Sequence, residues 1–372
     1  MASAPDTEAP LSARLLSDSY VFHWELASFR EDLFFTIAVA LCLGVGLAAG
    51  HPAAGMIAAG GAMTTGFGAK QTVDGTPLVP MIFVSLGMSL CTFIGMVAGH
   101  GNFSLVLIAS LFGFGYGMLS VRDAAYSWVG QQCVVTLLVA SAFPFSPRNA
   151  AIRAALILAG GVVQLLCSAL ILRTFTQLGT HLRALARYVR DEEQAFRATY
   201  LAAIQSVRTR QLRNSALPYS VRLAVVLAIS TEVYRRLHFA SGYWIPMTAL
   251  LVLRPGIADT TNRAVARTVG TLTGAVLASI LLVHVHPAPP VLAAFVVLFT
   301  WLSYSTLHVN YALFSIALTS YIVFLLSLAN VPGPEIAHRR AVSTVIGGSL
   351  ALGVRLVVIH RRNAQTRRQQ TA

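Results

Sequence analysis

YWIPMTALLVLRPGIADTTNRAVARTVGTLTGAVLA, residues 243–278, decides how the rest of the chain reads. Two apolar halves of different character flank a polar turn. The first, Tyr243 to Leu253, is short and opens with an aromatic pair and Pro246. The second, Ala264 to Ala278, carries Gly270 and Gly274 as GxxxG, a spacing that lets membrane helices approach closely. Between them lie Arg254, Pro255, Gly256, Asp259, Thr260, Thr261, Asn262, Arg263 and Arg267. Pro-Gly breaks a helix. A short or broken helix beside clustered cations is where transporters place anionic substrate groups. A re-entrant path through residues 243–254 would bring the turn to membrane depth.

Outward from this stretch, composition points to a bilayer. The chain is 56% hydrophobic and 11% charged, whereas soluble domains carry roughly 25% charged residues. Many apolar runs approach the ~20 residues that cross a membrane. A net charge of +13 in a soluble protein would point to nucleic acid. Here the cations lie between apolar segments, so orientation in a membrane accounts for them and no nucleic-acid partner is expected. Cys42, Cys91, Cys133 and Cys167 all fall inside apolar runs without CxxC or metal-ligand spacing. They read as small buried residues, with no disulfide framework, metal or cofactor. No HExxH, Gly-x-Ser-x-Gly or phosphate-loop motif occurs, so the chain reads as no enzyme.

The expected fold is all-α: a polytopic membrane protein of about twelve transmembrane helices in two parallel six-helix repeats. Residues 1–32 form a polar, mixed-charge cytoplasmic segment, with an interfacial helix expected around Tyr20 to Phe29. The first repeat occupies 33–173, with apolar runs at about 33–50, 52–69, 78–99, 103–120, 124–145 and 152–173. The second run is rich in Gly and Ala and reads as a closely packed inner helix. Residues 174–218 switch to an amphipathic pattern, a cytoplasmic connector. The second repeat, 219–360, holds runs at about 220–238, 243–254, 265–284, 288–305, 309–329 and 338–359, and a basic tail follows at 361–372. Pro147-x-x-Ala150-x-x-Arg153-Ala154 followed by Gly160-Gly161 recurs as Pro334-x-x-Ala337-x-x-Arg340-Ala341 followed by Gly347-Gly348. An even number of spans per half makes the copies parallel. Arginine distribution places both termini in the cytoplasm by the positive-inside rule.

Ionisable residues at membrane depth mark function by default. Glu232 and Arg236 are four apart and share a helix face, and read as an ion pair at the outer interface or as a polar path with a proton-linked carboxylate. Arg263 and Arg267 also share a face, and guanidinium groups grip carboxylates with two prongs. Asp259 is expected to hold one of these arginines in place. Arg153 and Arg340, one per repeat, read as structural cations neutralising Asp123 or Glu335, or as the lining of an outer exit. Tyr243, Trp244, Trp301, Tyr304, Tyr311 and Tyr321 are candidates for stacking on a ligand ring.

Tyr243-Trp244, Thr248, Arg254-Pro255, Thr260, Arg263, Arg267, Gly270-Thr271 and Gly274 together resemble the signature of the fusaric acid resistance family. That family takes in the aromatic acid exporters and is distantly similar to the plant aluminium-activated malate transporters. The resemblance implies efflux of aromatic or other organic acids across the bacterial inner membrane, driven by protons. It assigns the carboxylate to the arginines of 254–267, the ring to Tyr243 and Trp244, and the proton to Glu232 with Arg236. The sizeable soluble region between the halves of the larger exporters is reduced here to 174–218. The expected partners are a small organic anion and the lipid bilayer, with a second copy engaged through GxxxG faces and an adaptor protein of the kind exporters use. Two rivals remain: a passive organic-anion channel and a non-transport membrane scaffold.

Overall fold

A computed structural model describes residues 20–73, 75–120, 123–143, 146–174, 179–189, 217–237, 241–255, 257–329 and 331–370. Each of the twelve apolar runs is a helix. In chain order they are α1 (Phe29–Ala48), α2 (Pro52–Gly68), α3 (Leu78–Ala98), α4 (Phe103–Leu119), α5 (Ala124–Ser141) and α6 (Pro147–Thr174). After the connector come α7 (Leu217–Leu237), α8 (Trp244–Val252), α9 (Ile257–Val285), α10 (Pro289–Thr306), α11 (Tyr311–Ser327) and α12 (Gly333–Gln370). Among the described residues there is no strand, only an isolated bridge between Val73 and Thr76.

Local chemistry sets the boundaries. Pro52 opens α2 and Pro289 opens α10 at the position where a missing N–H is harmless. The Asp123 carboxylate accepts from the backbone of Ala125 and Tyr126 and so caps α5. Asn310 caps α11 in the same way. Gly99 ends α3 at φ 62°, a conformation that favours glycine.

Seven of the described helices (α1, α3, α6, α7, α9, α10 and α12) are long and apolar enough to cross a bilayer, and α4 and α11 are shorter apolar helices. Leu107 and Leu111, one turn apart on α4, are 60% and 68% exposed. In water a face built of such residues would be an association patch; in a bilayer it is the lipid-facing side. The chain is therefore a membrane-spanning, all-helical protein.

Packing repeats in order along the chain. The second helix of the first half, α2, packs on the sixth, and α3 packs on α5 and α6. In the second half α8 packs on α12, and α9 on α11 and α12. The halves meet through the fourth helix of each against the first of the other: α4 on α7 and α10 on α1.

Glycines make these contacts close. In α2 a Cβ on Gly61 would lie 2.3 Å from the Ile157 carbonyl oxygen of α6, so the Gly-rich run is the packed inner helix expected. Gly113 and Gly117 of α4 meet Leu227 and Ser220 of α7. Gly270 and Gly274 face the α11 backbone at Ala312 and Ile316. The close-approach face expected at Gly270 and Gly274 is filled within the chain.

Residues 179–189 are helical, and Tyr188 is buried with Val73, Val79 and Ala125, its hydroxyl bonded to that of Tyr126. The rest of the amphipathic connector, 190–216, lies outside the described residues. The 361–370 part of the basic tail continues α12 without a break. At the other end, the expected interfacial helix is only a single 3-10 turn, Trp24–Leu26. It is tied to the α10–α11 turn by His23 N–H to Val309 O (2.9 Å) and Asn310 Nδ2 to Val21 O (2.8 Å).

Candidate functional site

The polar turn lies between a very short and a very long helix. α8 has nine residues, about 14 Å at 1.5 Å per residue, less than half the ~30 Å hydrocarbon core. α9 has 29. The turn joining them is clamped by Thr260, whose hydroxyl bonds both the N–H (3.0 Å) and the carbonyl (3.1 Å) of Arg254. Arg355 of α12 donates to the Pro255 carbonyl.

Beyond the turn, the arginines gather on one ring. The Arg263 guanidinium stacks over Tyr311 at 3.4 Å from the centroid. Arg267 hydrogen-bonds the Tyr311 hydroxyl, and Arg254 is in electrostatic range of it. Arg267 is 2% exposed. Asp259, expected to hold one of these arginines, is exposed.

Arg340 joins this group from α12, a placement the sequence reading did not reach. It is 1% exposed, stacks over Trp244 at 4.0 Å and donates from Nε to Thr319 Oγ1 at 3.2 Å. Thr319 is midway along α11, eight residues from Tyr311 and eight from Ser327. Tyr243, Tyr311 and Arg267 are all in electrostatic range of Arg340. Glu335, one of its expected partners, pairs instead with Arg339. The other, Asp123, caps α5. The repeat counterpart, Arg153, stays half-buried over Phe143 at 5.2 Å.

No carboxylate among the described residues pairs with Arg267 or Arg340. Arg267 Nε and both terminal nitrogens of Arg340 are buried without a protein hydrogen-bond acceptor. The hydroxyls of Thr271, Ser315 and Ser343 are buried and unpartnered as well. Tyr311, Ser315 and Thr319 recur at four-residue steps, so they share one face of α11. They form a polar stripe about 12 Å long, with Arg267 at one end and Arg340 at the other. Buried polar groups in native proteins are almost always satisfied, and an uncompensated charge at membrane depth is costly. A set of donors with no acceptor, walled by Tyr243, Trp244 and Tyr311, suits an anion with an aromatic or otherwise flat body.

Tyr243 and Trp244, expected to flank the ligand ring, are 4.9 Å apart and buried, and Trp244 is already covered on one side by Arg340. Thr319 and Ser315 were not singled out from the sequence, and Thr271 entered only as part of the Gly270-Thr271 motif. Their only signal is hydroxyl residues recurring at helical spacing opposite the GxxxG pair.

Glu232 is elsewhere. Arg235 holds it two-pronged (2.8 and 2.7 Å) and Arg236 adds a contact at 2.5 Å. The expected Glu232–Arg236 pairing is present on α7, with Glu232 partly buried and Arg236 exposed. Lys70, which occupies the first-half counterpart of the turn, is 2.6 Å from the buried carboxylate of Asp32.

Comparison with known proteins covers the same part of the chain. Residues 224–354, the part containing Arg267, Tyr311, Thr319 and Arg340, match the family described as fusaric acid resistance protein-like. Its similar relatives include the uncharacterized protein YhfK of Escherichia coli, 32% identical over 45% of this chain and 24% of its own length. Another is the uncharacterized protein ORF2 of Neisseria gonorrhoeae, 29% identical over 40% of this chain and 35% of its own. A third, from Haemophilus influenzae, is 25% identical over 36% of this chain and 18% of its own. The chain thus spans between about a fifth and a third of the relatives it matches. No solved structure matches it.

Proposed function

We propose that the chain moves aromatic or other organic acids out of the cell across the bacterial inner membrane, coupled to protons. It does so as a non-enzymatic carrier of twelve spans in two six-helix repeats, with both termini cytoplasmic. One observation carries the reading: two fully buried arginines, Arg267 and Arg340, have no carboxylate partner among the described residues and are walled by aromatic rings. A resident carboxylate would neutralise such a site; leaving it out keeps the donors for a substrate anion. The shared packing order of the two halves supports the repeats, and the family match supports transport.

The test is uptake of labelled benzoate into inside-out vesicles, with and without a proton gradient, for wild type, Arg267→Ala and Arg340→Met. Gradient-dependent accumulation lost in both variants supports the carrier. Absence of flux for any organic acid sinks it.

A second reading, a passive anion channel, has one observation in its favour: Glu232 does not touch the arginine path. In that case flux follows the membrane potential alone and survives Glu232→Gln.

A further inference from the structure

Three charged side chains are fully buried among the described residues: Arg267, Arg340 and Asp32. Asp32 is in the first turn of α1, which the charge pattern marks as polar leader, yet it is 0% exposed. Its counter-ion is Lys70, 2.6 Å away just beyond the end of α2 and the only lysine in the chain. Lys70 keeps 12% of its side chain exposed while Asp32 keeps 1%. The carboxylate is sealed, and the ammonium has a way out along a flexible stem.

The elements around the pair contribute few other titratable groups. α10 brings Tyr304, in electrostatic range of Asp32, its hydroxyl donating to the Met63 carbonyl at 2.8 Å. The α10–α11 turn brings His308, in electrostatic range of both Lys70 and Asp32. Burial and the neighbouring Lys70 charge hold this imidazole below its usual range, with Asp32 opposing. On α1 itself Arg30 and Glu31 are exposed, and α6 meets α1 at Cys42, about three turns further along.

The pair is also linked by contact to the arginine site. Tyr304 meets Phe67 at 4.7 Å, Phe67 meets Phe314 at 5.8 Å, and Phe314 meets Tyr311 at 6.0 Å. Tyr311 is the ring that Arg263 and Arg267 grip. The two clusters sit on either side of the short α10–α11 turn.

We propose that Asp32 is the proton-binding carboxylate of this protein and that Lys70 is the charge its protonation releases. As drawn, the pair is neutral. A proton on Asp32 leaves Lys70 unpaired and adds one positive charge on the arginine side of the bundle. That charge strengthens anion binding at Arg263 and Arg267, and by reciprocity a bound anion strengthens proton binding, so that proton and acid leave together down the acid's own outward gradient. Glu232 has no such leverage, because two arginines already hold it.

The inference rests on the anion-carrier reading for its second half only, so the test has two arms, both on the purified full chain in lipid nanodiscs. The first follows the infrared band of a protonated carboxyl group as pH is lowered. It needs no substrate: a band that titrates in wild type, is lost in Asp32→Asn and moves to higher pH in Lys70→Met is expected. If no band titrates, or if the band survives Asp32→Asn, the proposal is overturned. Should Asp32→Asn fail to fold, the Lys70→Met shift decides alone. The second arm measures benzoate affinity from pH 8 to pH 5.5. Wild type is expected to tighten roughly tenfold, within the range of coupled sites. Asp32→Asn should be tight at every pH, Lys70→Met should bind more weakly than wild type with its pH response moved to higher pH, and Lys70→Arg should keep the wild-type response. A pH response unchanged in Asp32→Asn overturns the linkage. A titrating Asp32 with no benzoate binding in wild type upholds the proton site and removes the carboxylate reading.

Discussion

Arg340 stacks on Trp244, 4.0 Å from guanidinium carbon to ring centroid, although Trp244 begins α8 and Arg340 lies about two turns into α12. The contact brings the start of α12 against the start of the nine-residue α8 and carries a cation to the midpoint of α11. Because it is buried with its terminal nitrogens unpartnered, Arg340 is a burden on stability. Replacing buried charge by an apolar side chain of similar volume is often neutral or stabilising by about 1–4 kcal/mol. Arg340→Met is therefore expected to melt at the same or a higher temperature in nanodiscs while benzoate binding is lost. A large fall in melting temperature would make Arg340 structural.

Much of this architecture was legible in the chain, because a bilayer leaves few ways to satisfy a backbone. All twelve apolar runs are helices, and the Gly-rich second run is the packed one. The site was legible only in part. Arg254, Arg263 and Arg267 stand out by spacing, and they converge on Tyr311. Arg340 read as a structural cation or the lining of an outer exit, because the sequence does not reveal that the short α8 lets α12 present its first turns to the core. Asp32 follows Arg30 and Glu31, so its charge reads as solvated; the packing of α2 and α10 buries it. Gly270 and Gly274 were read correctly as a close-approach face, but sequence spacing does not distinguish a neighbour within the chain from a second copy.

That last distinction gives a sharp contrast between glycines. A Cβ on Gly274 would sit 2.5 Å from the Ile316 carbonyl oxygen, whereas one on Gly348 meets nothing within 4 Å. Gly274→Ala should destabilise by about 1–3 kcal/mol through overpacking. Gly348→Ala should be neutral or stabilising by up to about 1 kcal/mol, from helix propensity. Melting temperature checks both, and size-exclusion profiles should stay the same for both. An assembly change confined to Gly274→Ala would return that face to an intermolecular role.

The clamp at the turn makes a third case. Thr260 Oγ1 serves both the N–H and the carbonyl of Arg254. Thr260→Val keeps the shape and removes both bonds, leaving polar backbone groups unpaired, which costs about 1–3 kcal/mol. Thr260→Ser should restore most of that stability. Benzoate affinity should fall in Thr260→Val, since Arg254 loses its fixed place beside Tyr311, and recover in Thr260→Ser. Equal affinities in all three proteins would remove Arg254 from the site.

Glu232 separates the sequence expectation from the structural one. Its partly buried carboxylate is held by Arg235 and Arg236 on α7, and solvent-accessible pairs of this kind contribute little to stability. Glu232→Gln should leave the melting temperature within error. Because Asp32 is the coupling carboxylate in this scheme, gradient-dependent benzoate uptake into inside-out vesicles should persist in Glu232→Gln and be lost in Asp32→Asn. The opposite pattern, uptake lost in Glu232→Gln alone, would restore the proton to Glu232 and leave the Asp32–Lys70 pair as a structural tie between α1 and α2.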